Sequence, residues 1–288
     1  MRPTQIPGIL LACGLALGLP ASASVIYNNL TPNNQIAVAS RSNGTGAFEI
    51  ETADDFVLSD LTRIDSATFT GLVVPGLAGT PSIAQVVGEI YRVFPLDSDT
   101  VRMSHVPTRA NSPSDTAFDS RDSAASQLTF VSSLLSQTFT ASNSVQPGGI
   151  HPSPNQTTLG NGAITGQEVQ ITVNFLTPLI LPAGHYFFIP QVAMTNGGNF
   201  YWLSASRPIT GAGTTPINPD LQAWTRDQFL DPDWLRVGTD IVGGATPPTF
   251  NLAFALDGTA VPEPSPAQML LCGLALAVLG TVRLRRTH

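Results

Sequence analysis

The sequence predicts an all-β fold: a two-sheet antiparallel β-sandwich, jelly-roll-like, flanked by an N-terminal signal helix and a C-terminal transmembrane helix. Three observations point there. Short apolar runs recur along the middle of the chain, several alternate with period two, and Gly, Pro, Asn and Ser fill the gaps between them. Helical spacing is scarce: only 220–229, with Leu221, Trp224 and Phe229, fits a short helix.

The elements follow in order. Residues 55–58 form a first apolar run, and 64–74 a second in which Ile64, Ala67, Phe69 and Leu72 alternate only in part, so a bulge is expected. The run 85–94 carries its apolar load at Val87, Ile90, Tyr91, Val93 and Phe94. The clearest alternation is at 168–176. There Val169, Ile171, Val173 and Phe175 face one way and Glu168, Gln170, Thr172 and Asn174 the other, the pattern of a half-buried strand. Runs at 184–192, 199–204 and 250–256 complete the set, the last through Phe250, Leu252, Phe254 and Leu256. Asn196-Gly197-Gly198 reads as a tight hairpin turn. The Pro/Ser/Asp-rich stretch 105–121 and the Gly/Pro/Asn-rich stretch 144–166 read as surface loops.

Composition narrows the chemistry. Charged residues are 11% of the chain, against about 25% in an average domain. All thirteen basic residues are Arg, and four of them (Arg2, Arg283, Arg285, Arg286) lie in the terminal segments. The body is therefore acidic and offers no cationic face to nucleic-acid phosphates. Without Lys there is no Schiff-base or P-loop lysine. The two cysteines, Cys13 and Cys272, lie in terminal apolar runs, so the body has no internal disulfide and no thiolate nucleophile.

The ends carry the strongest signals. Met1-Arg2, an apolar run over 6–19 and Pro20-Ala21-Ser22-Ala23 make a signal peptide, 1–23, with Ala21 and Ala23 forming the Ala-x-Ala site and Ser24 starting the mature chain. At the other end, 261–288, Pro262-Glu263-Pro264 precedes an uncharged run over 267–282 and then Arg283, Arg285 and Arg286. As a helix that run spans about 24 Å, short of a bilayer core of about 30 Å by an amount that snorkelling arginines can cover. The Arg cluster belongs on the cytoplasmic side, which puts the domain 24–260 outside the inner membrane.

This ordered set closely resembles the PEP-CTERM sorting signal of Gram-negative bacteria. The resemblance implies recognition of Pro262, Glu263 and Pro264 by an exosortase, a membrane-embedded cysteine transpeptidase-like enzyme, with a cut nearby that leaves the helix and arginines behind. It also implies association with exopolysaccharide and biofilm matrix. The phrase from Ala53 to Leu58, with the strand that ends at Gly71, is similar to the opening of β-sandwich domains common in sorting-tail proteins and bears on fold alone.

Within the body no Gly-x-Ser-x-Gly, His-Glu-x-x-His or phosphate loop is found, and His105, His151 and His185 read as solvated or strand-end residues. Acidic clusters at Asp97-x-Asp99, then Asp54-Asp55, are the candidates for one structural Ca²⁺, set against ordinary turn chemistry. Trp202, Trp224 and Trp234 are candidate glycan contacts, set against core packing. The expectation is a non-enzymatic matrix or adhesive protein. A carbohydrate-binding module needs exposed aromatics, and a secreted hydrolase needs convergent carboxylates in a cleft.

Overall fold

Fifteen strands run through the described part of the chain: β1 (Ser24–Asn28), β2 (Pro32–Ala39), β3 (Ile50–Leu58), β4 (Thr62–Val74), β5 (Ile83–Arg92), β6 (Asp119–Asp122), β7 (Leu128–Ala141), β8 (Asn143–Val145), β9 (Ile164–Leu181), β10 (Gly184–Met194), β11 (Asn199–Ala205), β12 (Trp224–Asp227), β13 (Leu235–Arg236), β14 (Asn251–Leu252) and β15 (Phe254–Ala260). A π-helical turn, Val237–Val242, follows β13. The computed structural model describes residues 24–76, 82–101, 109–146, 157–209 and 217–261. The expected signal peptide with Ala21 and Ala23, the motif Pro262, Glu263 and Pro264, the helix 267–282, Arg283, Arg285 and Arg286, both cysteines, His105 and His151 lie outside the described residues.

The strands form two sheets. The smaller has the order β13-β12-β3-β10-β5-β6. The larger, of nine strands, is organised by β4, which pairs with β9 along one side and with β15 and then β11 along the other. Every pairing is antiparallel except β2 with β8. Thus the expectation of a two-sheet all-β sandwich holds, with one parallel pair added.

The core lies between the sheets. The inner face of β9 presents Val169, Ile171, Val173 and Phe175, all buried, as the alternation requires. Phe254 joins the two sheets: Tyr27 stacks on it at 4.2 Å, Trp202 meets it edge-on at 5.6 Å, and Phe188 lies 5.5 Å away. Each aromatic pair of this kind adds about 0.5–1.5 kcal/mol beyond its area burial. The partial alternation of β4 is explained by a register shift between Ile64 and Ser66 against β9. Gly71 sits where β11 crosses close to β4; a Cβ there would run into the Phe200 ring and the Tyr201 carbonyl.

Three expectations need correction. The segment 220–229 contains strand β12, with no helix. All four β12 residues are buried and pair with β3, so sheet pairing overrides a weak helical spacing. The Asn196-Gly197-Gly198 turn is present, with positive φ at Asn196 and Gly197, but it joins β10 in one sheet to β11 in the other and makes no hairpin. The expected loops also yield strand: β6 begins at Asp119, and β8 and β9 take the two ends of 144–166.

Candidate functional site

Most of the buried charged groups lie on the smaller sheet: Glu51, Asp54 and Asp55 of β3 and Arg226 and Asp227 of β12. In β3, residues 50–56 are all buried, although three of them are Glu51, Asp54 and Asp55. Buried charges persist only when paired or hydrogen-bonded. How each is satisfied defines the site.

Glu51 lies on the face turned away from the larger sheet, together with Ala53 of β3, Phe187 and Ile189 of β10, Tyr91 of β5 and Trp224 of β12. Register brings Arg226 of β12 directly opposite Glu51. Arg226 donates through Nε and Nη2 to the two carboxylate oxygens of Glu51. Its Nη2 also donates to the Tyr91 hydroxyl at 2.9 Å, which donates in turn to Glu51 Oε1 at 2.8 Å. Trp234 covers the guanidinium at 4.4 Å and donates its indole N–H to the Ser114 carbonyl. Asp231 adds an ion pair to Arg226 Nη1 at 2.7 Å.

Two further acids crowd this pair. Glu89, opposite Ile189, has its pKa pushed up to about 9 by burial first and by the neighbouring Glu51 and Glu49 charges next. Glu49 is raised too, again chiefly by burial. Glu89 is therefore a protonated acid at neutral pH beside a carboxylate clamped by Arg226. Its Oε2 is buried without a hydrogen-bond partner.

A second group sits along β3. Asp54 and Asp55 are successive strand residues, so their side chains leave on opposite faces. Asp54 points between the sheets, where its Oδ2 accepts from the Leu252 N–H at 2.8 Å. Asp55 points outward, accepts from the Leu221 N–H at 3.2 Å, and lies 2.5 Å from His185 Nε2. Burial raises the pKa of both, and mutual repulsion raises Asp54 further. Asp220 pairs with Arg207 at 3.6 Å nearby. His185 is the second residue of β10, at the strand end the sequence suggests, and its carboxylate partner is Asp55.

The remaining candidates resolve as follows. Trp202, Trp224 and Trp234 are 0%, 1% and 2% exposed. The expectation of glycan contact through them is corrected: Trp202 fills the core between the sheets, and the other two fill the packed outer face of the smaller sheet, so none offers a ring to a sugar. Asp97 directs both oxygens to Arg92. Asp99 Oδ1 accepts from the Val101 N–H at 2.9 Å, which is turn chemistry. Asp54 and Asp55 are separated by the strand. Among the described residues no group of three or more His, Cys, Asp or Glu side chains is arranged to hold a metal ion.

Sequence reasoning missed Glu51, Glu89, Tyr91 and Arg226 as one unit. The available signal was an acidic residue inside each of two apolar strands and one Arg between Trp224 and Trp234.

No protein-family model, curated protein or solved structure matches this chain.

Proposed function

We propose that this protein is exported, sorted by an exosortase at Pro262-Glu263-Pro264, and serves a structural or adhesive role at the cell surface or in an exopolysaccharide matrix. The observation that carries the reading is that the two ends of the described domain meet on one sheet. β1 (Ser24–Asn28) follows the expected cleavage site at Ala23 in the chain, and β15 (Phe254–Ala260) precedes Pro262. The two strands pair, with Ser24 opposite Gly258, so both ends leave the same end of one sheet. The Val261 N–H donates to the Leu61 carbonyl at 2.7 Å, the last tie before the motif. The sandwich, which we take to be jelly-roll-like, would then carry both of its expected processing points at one end of a single sheet.

In this reading the segment 267–282 crosses the inner membrane in the precursor, with Arg283, Arg285 and Arg286 on the cytoplasmic side. No cofactor is called for. A non-enzymatic role is part of this reading; both oxygens of the Glu51 carboxylate are engaged by Arg226 and Tyr91 in the packed outer face of the smaller sheet.

The test is intact-mass analysis of the protein from its native host, fraction by fraction, with and without a functional exosortase. The expected species starts at Ser24, ends near Pro262–Pro264 and lies outside the inner membrane. A full-length C-terminus retained in the inner membrane of normal cells overturns the reading.

A further inference from the structure

Arg41 stands apart from the other described arginines. Arg63, Arg92, Arg109, Arg121, Arg207, Arg226 and Arg236 each pair with an Asp or Glu. Arg41 pairs with no carboxylate among the described residues, although its residue is only 8% exposed and the chain carries a net charge of −7. Its guanidinium has five N–H donors. Nε donates to the Phe48 carbonyl at 2.9 Å and Nη1 to Asn199 Oδ1 at 2.6 Å, both neutral acceptors. The Phe48 ring lies 4.3 Å below the guanidinium and holds it flat.

This cation lines a cavity of about 290 Å³ at the end of the sandwich, between the 42–49 loop, the β10–β11 turn and the end of β8. Apart from Arg41 the lining is uncharged: Thr45, Gln146, Asn196 and Asn199 are polar, Ala47 and Met194 apolar, and none is Asp or Glu. Tyr201, which donates to Gln146 Oε1 at 3.4 Å, stands behind it. Burial lowers the Arg41 pKa, the direction expected of a charge whose counter-ion has not been supplied. Side-chain amides and hydroxyls are the groups that match sugar hydroxyls, while a guanidinium with no carboxylate partner and three N–H donors left on Nη1 and Nη2 matches a carboxylate.

We propose that this cavity is a binding site for a sugar acid, a uronic acid unit whose carboxylate is the missing partner of Arg41. The choice of a polymer-borne sugar rests on the matrix reading above. The charge argument does not.

The test uses the full-length protein in mild detergent and isothermal titration with tetragalacturonate, with maltotetraose as the neutral probe and acetate as the bare anion. The native protein is expected to bind tetragalacturonate more weakly as salt rises, and at least about tenfold more tightly than either control. Asn199→Asp supplies a carboxylate where Arg41 now meets an amide oxygen. It should lose at least about tenfold in affinity while melting no lower than the native protein. Arg41→Gln should lose binding as well. Equal binding by Asn199→Asp, no binding by a folded native protein, or equal binding of maltotetraose overturns the proposal, and equal competition by acetate overturns its sugar part. Processed protein that binds no uronate sinks this site alone; uronate binding by protein whose tail is never cut sinks the sorting reading alone.

Discussion

Replacing Glu89 by Gln should flatten part of the protein's pH dependence of stability. In the folded protein Glu89 keeps its proton up to about pH 9, whereas the unfolded chain releases it near 4.5. Between those values the folded state holds one more proton than the unfolded state. Unfolding free energy therefore falls as pH rises: the contribution is fully present below the unfolded pKa and is lost by the folded one. The limiting slope is about 1.4 kcal/mol per pH unit. Sharing of charge with Glu51 and Glu49, and partial solvent access, reduce it to an accumulated loss of about 1–3 kcal/mol between about pH 5 and 9. Gln keeps the shape of Glu89 and can donate to the Glu51 carboxylate, but does not titrate. The variant should match the native protein near pH 5 and exceed it by that amount near pH 9. Urea unfolding followed by tryptophan fluorescence suits the assay, because all three indoles are buried. Asp54 and Asp55 also have raised pKa values, so the difference between the two proteins is the quantity to read. Parallel stability curves across this range would refute the reasoning.

Two further substitutions probe the same architecture. Arg226→Met removes the cation that holds Glu51 and leaves a buried carboxylate among acids, at a cost of about 3–5 kcal/mol. The melting temperature should fall by about 6–20 °C, and adding Glu51→Met should recover most of it; a single variant that melts like the native protein contradicts the buried pair. Gly71→Ala inserts a methyl between β4 and β11 where Phe200 and the Tyr201 carbonyl already fill the space, so the urea midpoint should drop by the equivalent of about 1–3 kcal/mol. An unchanged midpoint would mean that the two strands can part without cost.

Much of the fold is legible residue by residue. The period-two run at 168–176 lies in β9 and that at 250–256 in β14 and the start of β15, with the expected residues inside. Strands without a periodic signal were not legible. β7 is exposed on both faces for most of its length, so nothing in Leu128–Ala141 had to alternate. β12 is the opposite case: all four residues are buried, including Arg226 and Asp227, and no pattern separates inside from outside.

By itself, the sequence determined the all-β class, the absence of lysine chemistry and of thiol chemistry in the body, and the expected signals at the two ends. These are local or compositional properties, carried by adjacent residues. The tertiary structure alone decided that the tryptophans are buried, that Asp54 and Asp55 part to opposite faces, that Arg226 neutralises Glu51 across 175 positions of chain, and that Arg41 has no carboxylate partner among the described residues. Each depends on strand register and on which sheet covers which face. Those are set by the summed burial of the whole core, and no short stretch of the chain encodes them.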